Sequence, residues 1–326
     1  MTAPTVTVVV ATYNRAVLLD QCLRHLRALP LQPGDEIIVV DNGSSDDTAA
    51  VVARHQRAAT TTLRLLHEPR PGKSHAIARA VAEASGDLLF FTDDDVNVSA
   101  AWLERLRATI ADGTVALAGG PVVARWEATV PQWMRDARDA YPRLGAPLAL
   151  LDYGDRAVDL GPRTLLGANL AVRRDVFAGV GGYPTHLGKL RGTLLSGEDH
   201  ELCRRVQAAG LRAVYVPEAV VHHWVPADRA RVWYFLHWFF WSGITHAIMD
   251  GAPSPEGARA VLGVPRYFLR RLASASVGVL AGLITGRWTA ALNHAMDAAF
   301  VAGYVSQRWG VVADAGRAPE PIGETA

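Results

Sequence analysis

The chain has 326 residues, 50% of them hydrophobic and 20% charged, which supplies a sizeable core and excludes a disordered or low-complexity polymer. Lys and Arg number 33 against 32 Asp and Glu, a formal charge of +1, so the basic surface that wholesale nucleic-acid binding needs is missing and no nucleic-acid partner is expected. The two cysteines, Cys22 and Cys203, each fall in a helical pattern and read as buried free thiols rather than a disulfide.

In chain order, residues 6–11 and 36–40 are continuous β-branched runs, too short for helices and ending in polar turn residues, so both read as buried strands. Between them, residues 16–29 place Val17, Leu18, Cys22, Leu26 and Leu29 near helical spacing, which makes a strand, helix, strand unit with parallel pairing. The alternation continues with a helix over 46–56, a strand over 63–66, a helix over 74–84 and a strand over 87–91, the signature of a doubly wound α/β sheet. A helix over 100–111 and a strand over 115–119 follow, then a Trp-, Pro- and Arg-rich stretch through residue 162 that reads as a binding loop. Regularity returns with a strand through 172, helices over 174–180 and 199–209, and a strand over 213–216.

Composition changes after residue 226. Residues 228–250 carry Trp233, Tyr234, Phe235, Trp238, Phe239, Phe240 and Trp241, aromatic on nearly every side of a helix. The apolar run 272–286 has no charge but spans only 15 residues, short of the roughly 20 that cross a bilayer. With Arg266, Arg270, Arg271 and Arg287 nearby, the region suits either an interfacial helical segment or a hairpin packed on the protein or on a second copy. No secretory signal is visible, so the sequons at Asn42 and Asn97 read as chance matches; the expected location is cytoplasmic, with peripheral contact at the inner face of a membrane as one option.

Chemistry concentrates at strand ends. Asp93, Asp94 and Asp95 directly follow a buried strand; three carboxylates repel unless a cation compensates, and hard divalent ions prefer oxygen ligands. Asp41, with Asn42 after it, ends the second strand, and Thr12 and Tyr13 end the first, so these groups suit a base and a ribose, although Asp41 also suits a turn cap. Asp199, after Ser196, Gly197 and Glu198, opens a helix whose dipole keeps a carboxylate ionised and able to accept a hydroxyl proton, while the same residues also suit an N-terminal cap. One of His222 and His223 beside the acidic triplet would complete a mixed oxygen and nitrogen ligand set for Mn2+ or Mg2+. Gly72-Lys73-Ser74 ends like a phosphate-binding loop, but position 67 is His67 where that loop needs glycine, and no G-x-G-x-x-G follows the first strand.

The set VVVATYNR, IIVVDNGSSDDT, FFTDDD, LLGANLAVRRDVFAGVGGYP, SGEDHELCRRVQAAG and VVHHWVP resembles the family 2 glycosyltransferases of the GT-A fold, in order over roughly residues 5–245. The resemblance implies an inverting, metal-dependent transfer of a sugar from a nucleoside diphosphate donor, with UDP expected first and dTDP next. It implies a donor site from Thr12, Tyr13, Asn14, Arg15, Asp41, Asn42, Lys73, Arg79, Asp93 and Asp94. It implies a metal at Asp93, Asp95 and His223, a base at Asp199, and an acceptor oriented by Glu198. Gly167, Ala168 and Asn169 match the segment lining the sugar and acceptor side, and Trp126, Trp133 and Tyr153 are aromatics able to stack on a sugar or cover a lipid. Family members often read Ala-Arg-Asn where this chain has Ala78-Arg79-Ala80, so the contact made by that Asn is absent.

On this reading residues 1–226 form a GT-A catalytic domain, 227–313 a helical C-terminal extension and 314–326 a disordered tail. The acceptor is a hydroxyl on a lipid-linked, glycan or natural-product molecule. Three readings compete: a polyprenyl-phosphate sugar synthase, whose ionised acceptor needs no base, a non-catalytic sugar-nucleotide or glycan-binding module, which need not keep Asp199, and a nucleotidyltransferase. The last lacks its Gly-rich loop, because Ala11 to Arg15 stands there instead.

Overall fold

Strand and helix alternate from the start of the chain: β1 (Val6–Thr12), α1 (Ala16–Arg27), β2 (Glu36–Asp41), α2 (Thr48–Arg57), β3 (Thr62–His67), α3 (Lys73–Glu83) and β4 (Leu88–Asp93). The computed structural model describes residues 3–111, 113–251, 260–261 and 264–311, so the tail expected over 314–326 lies outside the described residues. β5 (Val96–Val98), α4 (Trp102–Ile110), β6 (Val115–Gly119), β7 (Val122–Trp126) and α5 (Gln132–Ala140) come next. They lead to β8 (Val158–Asp159), β9 (Leu170–Arg173), α6 (Val176–Val180), α7 (Glu198–Ala208), β10 (Arg212–Tyr215) and β11 (Val221–Val225). Three long helices close the described chain: α8 (Val232–Met249), α9 (Arg266–Ile284) and α10 (Trp288–Arg308).

The main sheet has eight strands in the order β3-β2-β1-β4-β9-β6-β10-β8. β1 pairs in parallel with β2 and β4, β2 with β3, and β6 with β10, while β9 runs antiparallel to both β4 and β6 and β8 antiparallel to β10. The mostly parallel, doubly wound sheet expected from the sequence is therefore present, with one reversed strand near its middle. Alternate residues of β1 serve opposite faces: Val8 and Val10 pack with Leu19, Leu23 and Leu26 of α1, and Val9 with Ala76, Ile77 and Ala80 of α3. Burial on both faces is why these strands read as unbroken hydrophobic runs. Each fully buried Leu or Val side chain contributes about 1.5–3 kcal/mol. Cys22 and Cys203 are both buried and free, as their helical settings implied.

A second, three-stranded sheet, β5-β11-β7, was not foreseen, since β7 and β11 lie in stretches whose periodicity is broken by Arg125, Trp126, His222 and His223. The helical extension also differs from expectation in one respect. The apolar run counted as 15 residues is carried on α9, a 19-residue, mostly exposed helix that is long and apolar enough, by length and composition, to cross a membrane. The count fell short because the helix starts at Arg266, and its arginines extend it without interrupting the apolar run that follows. α8 and α10 cross where both carry glycine: a Cβ on Gly243 would lie 1.9 Å from the Phe300 carbonyl oxygen, and one on Gly303 1.8 Å from that of Phe240.

Candidate active site

Parallel pairing puts the strand ends in one row. Thr12 is in register with Asp41, and Ala11 with Asp93, so their side chains leave the carboxyl edge of the sheet together. β11 runs against β5 so that His223 stands opposite Val96, and the Trp224 N–H donates to the Asp95 carbonyl at 3.0 Å. Strand alternation then separates the two histidines: His223 is buried with Nε2 3.5 Å from Asp95 Oδ1, and His222 is exposed on the other face.

The acidic triplet is clamped by cations. Arg15 Nη1 lies 3.0 Å from Asp94 Oδ1 and 2.8 Å from Asp95 Oδ2, Thr12 Oγ1 donates to Asp94 Oδ2 at 2.8 Å, and Lys73 Nζ lies 2.5 Å from Asp93 Oδ1. Burial pushes the Asp94 carboxyl up to about 6, opposed by Arg15 and reinforced by Asp95 and Asp93. Asp95 goes the other way: its burial is outweighed by His223 and Arg15, which hold it well below the usual carboxylate range. The same ion pairs overcome burial at Arg15 and Lys73 and raise both cations above their ordinary values. Asp95 Oδ1 and His223 Nδ1 are nevertheless buried without a hydrogen-bond partner. Among the described residues no three His, Cys, Asp or Glu side chains converge so as to hold a metal ion by themselves.

Two cavities open on this edge. The first, about 400 Å³, is lined on the sheet side by Thr12, Tyr13, Arg15, Asn42, Lys73 and Asp93 to Asp95, and on the other by residues 189–193. The Arg191 guanidinium packs 4.1 Å from the centroid of the Tyr13 ring and donates from Nη2 to the Asn42 carbonyl at 2.8 Å. The second cavity, about 450 Å³, is lined by Gly167, Ala168, Glu198, Asp199, His200, His223, Tyr153, Arg143, Arg229, Tyr234 and Trp238. Lys73, Asp93 and Lys189 line both and form their common wall. Burial, with repulsion from Arg229 and Lys73, brings the Lys189 ammonium down to about 8, partly offset by Asp95 and Asp93.

Asp199 owes its position to the start of α7. Gly197 caps that helix with φ +99, a left-handed conformation that suits glycine, and a Cβ there would also meet Thr245 Cγ2 at 2.7 Å. No side chain caps the helix, so the capping role open to these residues is not taken. Instead Asp199 Oδ2 accepts from the Gly167 N–H at 2.9 Å, and Oδ1 lies 2.8 Å from both the His200 N–H and His200 Nδ1. Burial raises the Asp199 carboxyl, but the His200 charge, its hydrogen bond and the Gly167 N–H outweigh it and bring the value down to about 2. Burial and the Asp199 charge push neighbouring Glu198 up, against the pull of Lys73. Two adjacent carboxyls driven apart in this way are suited to different protonation roles.

Several expected residues stand elsewhere. Asp41 Oδ1 accepts from the Ser44 N–H at 2.8 Å as a turn cap, and Asp41 is not among the lining of the first cavity. Asn14 has φ +51 and accepts from the Ser45 N–H at 2.7 Å, and Arg79 pairs with Glu83 one helical turn on; neither lines either of these two cavities. Asn42 reaches the first cavity, but its side chain staples the loop after β3: Nδ2 donates to the Glu68 and Arg70 carbonyls and Oδ1 accepts from the Gly72 N–H. Asn169 is fully buried, accepting from Trp102 Nε1 and donating to the Pro121 and Ala219 carbonyls, which is an architectural role. Trp126 and Trp133 pack in the cluster beneath α8 with Phe235 and Phe239 and do not line the second cavity, where Tyr153, Tyr234 and Trp238 stand instead.

Sequence reasoning passed over Lys189, Arg191 and Arg229. The first two sit between Gly188 and Gly192, immediately ahead of the Ser196-Gly197-Glu198-Asp199 run, and a pair of basic residues in a glycine-flanked segment was the available signal. Arg229 lies just ahead of the aromatic helix, where no motif singles it out.

A sheet with two cavities at the carboxyl ends of its parallel strands and carboxylates at their junction defines a GT-A glycosyltransferase architecture. The family model for "Glycosyl transferase family 2" matches residues 7–180, and the chain belongs to that family. It is 31% identical over 240 residues to the succinoglycan biosynthesis protein ExoM of Rhizobium meliloti, covering 73% of this chain and 72% of that one. It is 27% identical over 251 residues to a glucosyl-dolichyl phosphate glucuronosyltransferase of Haloferax volcanii, covering 75% of this chain and 77% of the relative. Among solved structures it is similar to the mannosyltransferase PcManGT of Pyrobaculum calidifontis in complex with GDP-Man and Mn2+. The TM-score there is 0.62 at 23% identity, with 95% of this chain and 88% of that chain covered. That last likeness is one of fold.

Proposed function

We propose that this glycosyltransferase moves a hexose from a nucleoside diphosphate donor, held in the first cavity, to a hydroxyl acceptor held in the second, with inversion. The observation that carries the proposal is the common wall of Lys73, Asp93 and Lys189 between the two cavities, with Asp199 on the acceptor side of it. Asp199, ionised across the physiological range, accepts the proton of the acceptor hydroxyl. The oxygen forms its bond to the anomeric carbon while the bond from that carbon to the diphosphate oxygen breaks. Glu198, kept protonated more readily, orients the acceptor. Lys73 and Lys189 stand where negative charge gathers on the leaving diphosphate.

A divalent cation fits the residues present. The buried, unpartnered Asp95 Oδ1 facing His223 is the donor set a hard or borderline cation would use, with Asp93 beside it. Because the described side chains alone do not cage a metal, its remaining ligands would come from the donor, as is usual for Mg2+ with phosphates. Bound there, Mn2+ or Mg2+ supplies Lewis-acid neutralisation of the departing diphosphate. PcManGT, solved with GDP-Man and Mn2+, lends support to both donor class and metal.

Residues 1–226 act as the catalytic domain and the helices after them as its extension. That extension ends in exposed apolar side chains, Trp233, Val277, Leu280, Leu283, Ile284 and Trp288, flanked by Arg231 and Arg287, and α8 to α10 contain one carboxylate, Asp297, itself paired with Arg143 and Arg271. This is the composition of a peripheral membrane contact on an anionic surface. The relative named a glucosyl-dolichyl phosphate glucuronosyltransferase supports a lipid-borne acceptor.

Calorimetric titration with UDP, dTDP and GDP, each with Mn2+ and again with excess chelator, tests the donor reading. Binding of one nucleotide only with metal is expected, UDP first; no metal-dependent binding to any of them by folded protein overturns it.

A further inference from the structure

Arg229 is a buried cation with no ion-pair partner among the described residues. It is 9% exposed, sits in the short helical turn before α8 and lines the second cavity. Among the described residues no carboxylate lies within ion-pair distance of its guanidinium; its side-chain contact is with the Tyr234 ring, at 5.9 Å from the centroid. The other cations of that cavity are mostly spoken for: Lys73 by Asp93, Arg143 by Asp297 and His200 by Asp199. Removing a charge from water without a partner is costly, and a guanidinium aimed into a cavity is matched by an oxyanion that meets its planar fork.

We propose that Arg229 forms an anion subsite in the second cavity, taking a phosphate group carried by the acceptor at a distance from its reacting hydroxyl. Two features assign the anion to the acceptor rather than to the nucleotide. Arg229 lines the second cavity and is absent from the lining of the first, whereas Lys189 lines both. The second cavity around it is itself largely apolar, lined by Pro147, Leu150 and Leu151 together with Tyr234 and Trp238 of α8. A phosphate at Arg229 thus has apolar surface beside it for a hydrocarbon chain, which fits a prenyl-type phosphate ester. The inference rests on reading the second cavity as the acceptor's, but it is tested by binding alone and needs no turnover.

The test measures equilibrium binding of farnesyl phosphate, farnesol and inorganic phosphate to the full chain, and of UDP and GDP with Mn2+, for the wild type, Arg229→Gln and Arg229→Lys. Wild type is expected to bind farnesyl phosphate at least about tenfold more tightly than farnesol, Arg229→Gln to lose that margin and Arg229→Lys to keep part of it. Nucleotide affinity, read at pH 7 where the Lys189 ammonium is charged with or without Arg229, should be the same in all three proteins, which also shows that the variants fold. Inorganic phosphate that binds as tightly as the ester, and only when Arg229 is present, supports the subsite but makes its ligand a free anion rather than a lipid headgroup. Farnesyl phosphate binding that is absent in the wild type or unchanged in Arg229→Gln overturns the proposal. A nucleotide affinity that falls in step with Arg229→Gln overturns it as well, assigning Arg229 to the donor diphosphate.

Discussion

The sheet and the C-terminal helices dispose of their apolar side chains in opposite ways. Val8, Val10, Ile38 and Phe90 are wholly buried and the sheet spends its polar groups at the strand ends, whereas the helical extension leaves Trp233, Ile284 and Trp288 in the open. A sheet covered on both faces has only its carboxyl edge left for ligands, so chemistry gathers there. Helices that wear apolar groups outward are built to meet something other than water.

The deepest test of that division is Asp199→Asn, which removes the proposed base without disturbing either region's packing. Turnover is expected to fall about 10²–10⁴-fold, with nucleotide affinity unchanged by calorimetry. Full transfer by this variant would mean that the acceptor arrives already ionised, as in a polyprenyl-phosphate sugar synthase. Next comes Gly303→Ala, whose new methyl meets the Phe240 backbone. A loss of about 1–3 kcal/mol in thermal unfolding is expected, confined to the helices, so that nucleotide binding persists at room temperature. If nucleotide binding melts with the bundle, the two regions form one cooperative unit.

A smaller effect is expected from pairing Leu280→Asp with Ile284→Asp. Sedimentation with anionic liposomes should weaken by at least about tenfold, while donor binding holds. If wild-type protein ignores liposomes and is a defined oligomer by light scattering that these changes dissociate, the exposed end is a subunit contact instead. The smallest effect belongs to Lys189, whose ammonium, crowded by burial, Arg229 and Lys73, loses its proton near pH 8. The group is charged and able to hold a diphosphate below that pH and neutral above it. Nucleotide affinity should therefore fall by up to about tenfold between about pH 7 and 9, with proton uptake on binding, and Lys189→Met should flatten the profile.

What could be read from the sequence followed the same division. β1, β2 and β4 announce themselves because burial on both faces demands unbroken β-branched runs, and parallel register then brings Thr12 and Asp93 to one edge without further information. The resemblance already favours His223 over His222, but the physical reason, strand alternation against β5, is a pairing between residues over a hundred positions apart that periodicity alone does not reveal. Trp126 and Trp133 looked like ligand-stacking residues because their partner, α8, lies about a hundred residues downstream and packs against them. Lys189 and Arg191 sit in a segment with no periodicity, where position is fixed by tertiary contact alone.

The wall shared by the two cavities has a kinetic meaning. With Lys73, Asp93 and Lys189 facing both sides, a nucleotide sugar in the proposed donor cavity would become part of the surface that the acceptor meets in the second. The expected order of entry is donor before acceptor, and exit should reverse it, with the glycosylated product leaving ahead of the nucleoside diphosphate. Product inhibition would carry that signature, the released nucleotide competing with the donor and not with the acceptor.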